Sequence, residues 1–319
     1  MTTQKFSKPD FNNLNNSIRF YTGNISHEKN LGAYFQDCHE AISNFETQQF
    51  GDFDDNGLPR CGHGSEAYYN VIYIIQYGLI HFDLFLKTSS STDEKIFLKC
   101  ADWIFNNAKT FKNDSVCWPS IKPNLKYNLP AGWVSAMYQG QAISLLLRVA
   151  QHTNFQKYFD LCDKAFLFFN YTIEEGGAKY IDSDNNIWLE EYPSLPPTMV
   201  MNGFVYATFG VLDYYRATEN QNAKALYELC IKTLKQNMHC YHRWYWSVYD
   251  KMKQEMVNPY YMINIHCGLC EILFQLTGEP TFKSYADKWK NSYYNPFKRL
   301  LIPFILRLQP RLKKFGINL

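Results

Sequence analysis

MVMNGFVYATFGVLDYYRATENQNAKALY, Met199 to Tyr227, sets two kinds of helix side by side. Met199 to Leu212 is an apolar run with the composition of a helix buried on all sides. Residues 221–238 have the pattern of a helix with one wet face. The join between them recurs. HTNFQKYF (His152 to Phe159) and LTGEPTFKSYA (Leu276 to Ala286) also close an apolar helix on a threonine, and each opens an amphipathic one. The three threonines are Thr153, Thr218 and Thr277. Alternation of fully buried with half-buried helices is what an α/α toroid needs, with the buried set inside and the wet set outside. The pairs 71–87 with 92–111, 131–153 with 154–172, 198–216 with 221–238 and 260–276 with 280–293 make about four. The expected fold is all-α: an α/α barrel of about four helix pairs. A small strand-and-loop N-terminal segment precedes it, and a hairpin insertion falls at 178–190, around Asp184-Asn185-Asn186. The expected division is 1–56 for the N-terminal segment, 57–295 for the barrel and 296–319 for a basic tail.

Directly upstream of the quoted helix lies WLEEYPSLPPTMVMNG, Trp188 to Gly203. Pro193, Pro196 and Pro197 keep the approach extended. Glu190, Glu191 and Tyr192 are thereby set before a helix N-terminus, where partial positive charge favours anions, and Asn202 follows just inside. Two readings stand at this point, a helix cap with a satisfied tyrosine or part of a site.

Composition narrows the choice. The 319 residues suffice for a sizeable core, and the 17% aromatic content, with 24 Tyr and 7 Trp, suits carbohydrate grooves as well as cores. A net charge of +2 gives no signal for nucleic acid. Nine cysteines without framework spacing fit free thiols in a reducing compartment. The start, MTTQKFSKPDFNN, lacks a signal-peptide core and no run reaches transmembrane length. The expectation is a cytoplasmic protein.

Polar and aromatic residues gather before the inner helices, which brings four loops to one rim. They offer His63, Glu66, Tyr68 and Tyr69; then Tyr127, Trp133, Gln139 and Gln141; then Glu190, Glu191, Tyr192 and Asn202. The last offers Tyr241, Tyr245, Trp246, Tyr249, Tyr260, Tyr261 and His266. Glu190 and Glu191 point apart on an extended chain, so they make a poor pair for glycoside hydrolysis. A phenol near its usual pKa of about 10 becomes a base only where neighbours stabilise phenolate. Such a base suits removal of a carbon-bound proton beside a screened carboxylate. Most of the tyrosines are core rings on any reading. Cys267 and Cys270 have no second pair at ligand spacing, and His81, His239 and His242 have no metal-ligand partner, so neither metal nor cofactor is expected.

Taken together, GLP with QYGL (Gln76 to Leu79), GWVSAMYQGQAISLLLR (Gly132 to Arg148), EEYP with MNGF, and Tyr249-Asp250 before Tyr261 and His266 resemble the C-terminal domain of the D-glucuronyl C5-epimerases. The likeness runs over about 57–293. It implies an α/α-barrel domain and an isomerase of heparosan-like polysaccharide synthesis. The reaction it implies inverts C5 of a glucuronate residue within the polymer to give iduronate, by removal of the C5 proton and reprotonation from the opposite face. By motif it implies Tyr68, Glu191, Tyr192, Tyr249 and Tyr261 as catalytic, and Tyr127, Trp133, Gln139, Gln141, Asn202, Lys251 and His266 on the uronic-acid polysaccharide.

The departures from the family pattern matter. Lys251, Met252 and Lys253 follow Tyr249-Asp250 where the family carries an arginine, leaving Lys251 to meet the uronate carboxylate without bidentate geometry. Met262 stands four residues before His266, where the family has its last tyrosine, and Tyr261 is one residue off. Either the loop is re-registered or one acid/base group is lost. The β-rich region before the barrel in animal members is much reduced here, so either a second subunit completes the cleft, as in a homodimer, or the substrate differs. The rival readings are a lyase with the same proton removal and an inactive glycan-binding protein. Residues 296–319 carry six basic and no acidic residues among Leu, Ile and Phe. They read as an amphipathic helix on an anionic membrane surface, or as a segment packed against the barrel or a partner.

Overall fold

Four threonine corners organise the chain. In the computed structural model, which describes residues 21–23 and 25–313, the inner helices are α2 (Val71–Thr88), α4 (Ala136–Thr153), α6 (Met201–Thr218) and α9 (Cys267–Thr277). Each ends on threonine, and the next residue takes a left-handed conformation: Ser89, Asn154, Glu219 and Gly278 have φ of 55, 57, 59 and 67°. Each threonine hydroxyl donates to the carbonyl four residues back, on Leu84, Val149, Tyr214 and Leu273. It then accepts from the amide two residues ahead, on Ser90, Phe155, Asn220 and Glu279. Orphan carbonyls at the helix end are thus satisfied while the chain reverses. The outer helices follow: α3 (Ser91–Asn106), α5 (Gln156–Leu167), α7 (Gln221–Asn237) and α10 (Pro280–Tyr294). The fold is an α/α toroid of four pairs. Three of the corners follow from the sequence repeat, and Thr88 supplies the fourth.

Helix starts fall later than the apolar patterns suggest. Ser135 caps α4 by accepting from the Tyr138 amide, which moves the start from 131 to Ala136. Met199 has φ of 51° and Val200 is extended, so α6 begins at Met201. Along the contact of α4 with α6 the backbones touch. A Cβ on Gly210 would lie 2.2 Å from the Gly140 carbonyl oxygen.

The connections from outer to inner helices each carry a two-stranded antiparallel hairpin. These are β3–β4 (Lys109–Thr110 with Val116–Cys117), β5–β6 (Lys179–Ile181 with Ile187–Leu189) and β7–β8 (His242–Arg243 with Trp246–Ser247). The 178–190 hairpin has two counterparts at equivalent positions in the repeat.

The N-terminal segment is stapled to the other end of the ring. Asp213 on α6 is fully buried between Arg148 (2.6 Å) and Arg216 (3.1 Å). The remaining guanidinium donors reach backbone carbonyls of Glu28, Asn30, Leu31, Gly32 and Ala33. Leu31, Tyr34 and Phe35 enter the core. The strands β1 (Tyr21–Thr22) and β2 (Gln36–Asp37) pair, β1 packs on α9, and a short helix α1 (Ile42–Glu46) packs on α2. Residues 1–20 of the expected N-terminal segment lie outside the described residues, as do 314–319 of the tail. The rest of the tail is one helix, α11 (Pro296–Lys313), packed on α10. No helix among the described residues is long and apolar enough to cross a membrane.

Candidate active site

Glu190 and Glu191 do point apart, and they do different work. The Glu190 carboxylate accepts from the Thr198 amide (3.1 Å), the Thr198 hydroxyl (2.5 Å) and the Met199 amide (3.0 Å). It closes the proline-rich loop on itself, and its backbone bonds Ala178 and Ala136. Tyr241 seals the same loop from below, donating to the Met199 carbonyl at 2.8 Å. Glu190 is therefore the residue that fits the cap-like reading. Glu191 faces the other way, onto α6. Its Oε2 is buried without a hydrogen bond. It rests where the Cβ of any residue but glycine at position 203 would stand, 2.3 Å from that oxygen.

The phenols of Tyr127, Tyr138, Tyr192, Tyr249 and Tyr261 stand within reach of the Glu191 charge. The hydroxyls of Tyr192 and Tyr249 act on its carboxyl, and Tyr249 meets Tyr261 edge to face at 5.7 Å. Tyr192 stacks on Tyr127 at 4.8 Å and leans on Trp133 at 5.4 Å, with Tyr138 beyond Trp133 at 5.6 Å. Tyr127 donates to Asp250 Oδ2 at 2.7 Å, and Asp250 also closes the turn at Lys253 and Gln254. Burial pushes the Glu191 carboxyl up to about 7, opposed by the two hydroxyls and by the Lys126 ammonium. Burial and the negative charge of Glu191 push Tyr192, Tyr249 and Tyr261 well above the ordinary phenol value. Near neutral pH the phenols therefore keep their protons, while the Glu191 carboxyl lies within its titration range.

Two ammonium groups overlook this cluster, and one of them is Lys253, 4.9 Å over the Tyr127 ring. Lys126 stands 4.8 Å over the Tyr249 ring and 5.2 Å over Tyr127, and it pairs with Glu255 at 3.1 Å. Lys251 instead lies 5.5 Å over the ring of the buried Trp188. Neither Lys126 nor Tyr138 stands out in the sequence as a site residue. The one is an unremarkable lysine in a loop, and the other sits in an apolar helix start that reads as core.

Tyr261 reaches the cluster because the helix changes its winding. Pro259–Tyr261 form a first α-turn (α8), Met262–His266 a π-helical turn, and α9 follows without a break. A π-turn holds one residue more than an α-turn. The residue five before His266 thus takes the place that a residue four before it would hold. Tyr261 meets His266 edge to face at 5.2 Å, and Met262 is fully buried.

Other sequence candidates lie elsewhere. Tyr68 stands under the Lys122 ammonium, on the Tyr138 side of the cluster. His63 and Glu66 are exposed, and His63 bonds Asp52 at 2.7 Å, as Tyr69 bonds Asp54. The Gln139 amide donates to the Val116 and Ala165 carbonyls at 2.7 Å each, which ties α4 to its surroundings. Asn202 is buried, with an Oδ1 that makes no hydrogen bond. His266 contacts the Ser247 hydroxyl at 2.9 Å, and burial lowers it to about 3, so it is neutral. Trp246 is core, and its indole donates to the Val257 carbonyl. Tyr245 and Tyr260 belong to other surfaces, beside Lys298 and at a cavity mouth respectively. His81 pairs with Asp93, His239 contacts the Gln236 carbonyl, and His242 accepts from Trp289. Cys267 and Cys270 are packed inside the ring.

Residues 112–291 match the family model described as the D-glucuronyl C5-epimerase C-terminus, more than half of the chain. The chain belongs to that family. It is 34% identical over 166 residues to the D-glucuronyl C5-epimerase of Caenorhabditis elegans, a match covering 48% of this chain and 27% of that protein. It is 30% identical over 167 residues to an uncharacterized protein of Methanocaldococcus jannaschii, covering 51% of this chain and 54% of the other. The chain thus spans about a quarter to a half of the relatives it matches. A solved complex of a UGL variant with dGlcA-Glc-Rha-Glc has a TM-score of 0.45 and 14% identity, over 68% of this chain and 59% of that one. The family takes its name from a carbohydrate-modifying epimerase.

Proposed function

We propose that the chain inverts C5 of a D-glucuronate residue within a heparosan-like polysaccharide, giving L-iduronate. The observation that carries the reading is the buried Glu191 carboxyl, one oxygen of which makes no hydrogen bond, beside the phenols of Tyr192, Tyr249 and Tyr261 and under the Lys126 ammonium; burial pushes that carboxyl up. Glu191 takes the C5 proton, and the bonding pair passes into the uronate carboxylate as an enediolate. Lys126 meets that developing charge. A phenol on the other side of the ring, Tyr261, returns a proton to C5, and the same groups in exchanged roles run the reverse direction. One proton leaves and one arrives, so the step balances without a cofactor.

The test is incubation of a glucuronan in deuterium oxide. Deuterium entering C5, with iduronate formed and no rise in ultraviolet absorbance, is the expected result. An absorbing product means elimination of the C4 substituent and a lyase. No exchange at all leaves a glycan-binding protein.

A further inference from the structure

Between α2 and residues 34–50 lies a cavity of about 610 Å³, within the roughly 300–1,000 Å³ of small-molecule sites. Its wall is shared between residues 34–50, the length of α2 from Tyr73 to Asp83, Gln141 of α4, Tyr206 of α6 and the turns before α9. Glu191, Tyr192, Tyr249 and Tyr261 do not line it. Tyr206 joins the two places. Its ring lines the cavity, and its phenol, raised by burial, also feels the charges of Tyr261 and Glu191.

The lining has a definite chemistry. Gln36, Gln76 and Gln141 bring amides, each able to donate twice and accept twice. The bonds among them leave capacity to spare: Gln76 to Gln141 and Gln141 to Tyr34 are both 3.4 Å. Phe50, Tyr73 and Tyr260 bring ring faces, and Phe50 and Tyr260 are exposed at the mouth. Among the described residues the charged side chains in the lining are Asp37 and Asp83, with no lysine, arginine or histidine. Asp37 is already paired with Lys87 at 2.5 Å, and Asp83 accepts from the Tyr34 amide at 2.9 Å. Hydroxyls that donate and accept, with a C–H face to lay on a ring, match this wall. A carboxylate matches it less well, since both charged groups of the lining are acidic and the cation beside them, Lys87, is already paired with Asp37.

We propose that this cavity is a binding site for a neutral pyranose. Resting on the uronate reading above, it takes the uncharged sugar next to the reacting uronate; Tyr260 of its lining and Tyr261 of the cluster are neighbours in the chain.

A matched pair of ligands tests this on the full chain, because methyl β-D-glucoside and methyl β-D-glucuronoside differ only in a hydroxymethyl against a carboxylate. In NMR titrations the glucoside is expected to bind saturably. Gln76→Leu and Tyr260→Ala should each weaken it by about tenfold, while Tyr192→Phe leaves it unchanged. Tyr260 is 65% exposed, so its variant keeps the fold. The glucuronoside response should be indifferent to Gln76→Leu and Tyr260→Ala. Absence of saturation by the glucoside overturns the proposal, and so does loss of glucuronoside binding in those two variants. Glucoside binding that survives in a protein with no C5 exchange would sink the epimerase reading and leave the cavity as a neutral-sugar site.

Discussion

Tyr261 and His266 stand five residues apart, yet their rings meet at 5.2 Å as partners one helical turn apart do. The extra residue is absorbed by the π-helical turn at Met262–His266. Of the two readings open in the sequence, this is the geometry of the re-registered loop. Tyr261→Phe should nearly abolish deuterium exchange at C5, keep the ring contact with His266, and preserve affinity for the polymer. Met262→Tyr should gain nothing and cost about 1–3 kcal/mol by overpacking, since Met262 has no exposed surface. An active Tyr261→Phe together with a faster Met262→Tyr would show that the last acid/base group is not Tyr261.

Glu191 links activity to stability through pH. Its carboxyl moves from 4.5 unfolded to about 7 folded, so the folded state holds the proton more tightly. The benefit is complete below 4.5 and is lost as pH rises through about 7. Above that, the ionised buried group costs about 3 kcal/mol relative to its protonated form. Turnover should rise over the same window, as the base ionises. Glu191→Gln should cut turnover by roughly 10²-fold or more and become progressively more stable than the parent between pH 4.5 and 7. Glu190 and Asp83 are also raised to about 7, so a residual pH slope remains. Thermal unfolding from pH 4 to 8 measures it, and a constant difference between variant and parent would contradict the assignment.

The parts legible in the sequence were those fixed by local chemistry. A threonine followed by a chain reversal reads out three times because Asn154, Glu219 and Gly278 stand between unmistakable apolar and amphipathic runs. Thr88 makes the same corner inside TSSST, where nothing but serine marks the turn. Glu191 and Tyr192 could be singled out because a carboxylate and a phenol precede a buried helix. That Glu190 would instead fasten the loop was not readable, since its partners Thr198 and Met199 are set by how the prolines turn the chain. Lys126 was hidden for a similar reason. Its place over Tyr127 and Tyr249 depends on the 118–135 loop folding back across the rim.

Lys126 and Lys251 can be separated by kinetics. Lys126→Met should raise KM for the polymer by about tenfold, the scale of a lost charged hydrogen bond, and Lys126→Arg should recover most of it. Lys251→Met should change KM little, because that ammonium sits over Trp188. The reverse pattern would return the carboxylate to Lys251.

Gly203 is where the site meets the core. A methyl group there would lie 2.4 Å from the Glu191 Cβ and 2.3 Å from its Oε2, and the first of these atoms cannot swing aside. Gly203→Ala should therefore displace Glu191 and lower turnover about as far as Glu191→Gln does, roughly 10²-fold. Gly210→Ala should act differently, by forcing α4 from α6 and lowering the melting temperature. Normal turnover in Gly203→Ala would mean that Glu191 need not hold its present position.

The tail divides into a packed side and an open one. Ile302 is fully buried, and Gln309 accepts from the Met256 amide and donates to the Gln254 carbonyl. Phe297, Leu300, Leu301, Phe304 and Leu308 form an exposed apolar stripe on the same helix. We propose that an anionic bilayer covers this stripe, because residues 296–319 carry six basic and no acidic side chains. Truncation after residue 295 should destabilise the fold by uncovering the seats of Ile302 and Gln309, and is a poor test of binding. Replacing Phe297, Leu300 and Phe304 together by serine should leave the melting temperature unchanged and abolish sedimentation with phosphatidylserine vesicles at low salt. Raising the salt should release the parent protein as well, by screening the basic residues. A parent that ignores such vesicles and runs as a dimer, with the triple variant monomeric, would assign the stripe to a second copy of the chain.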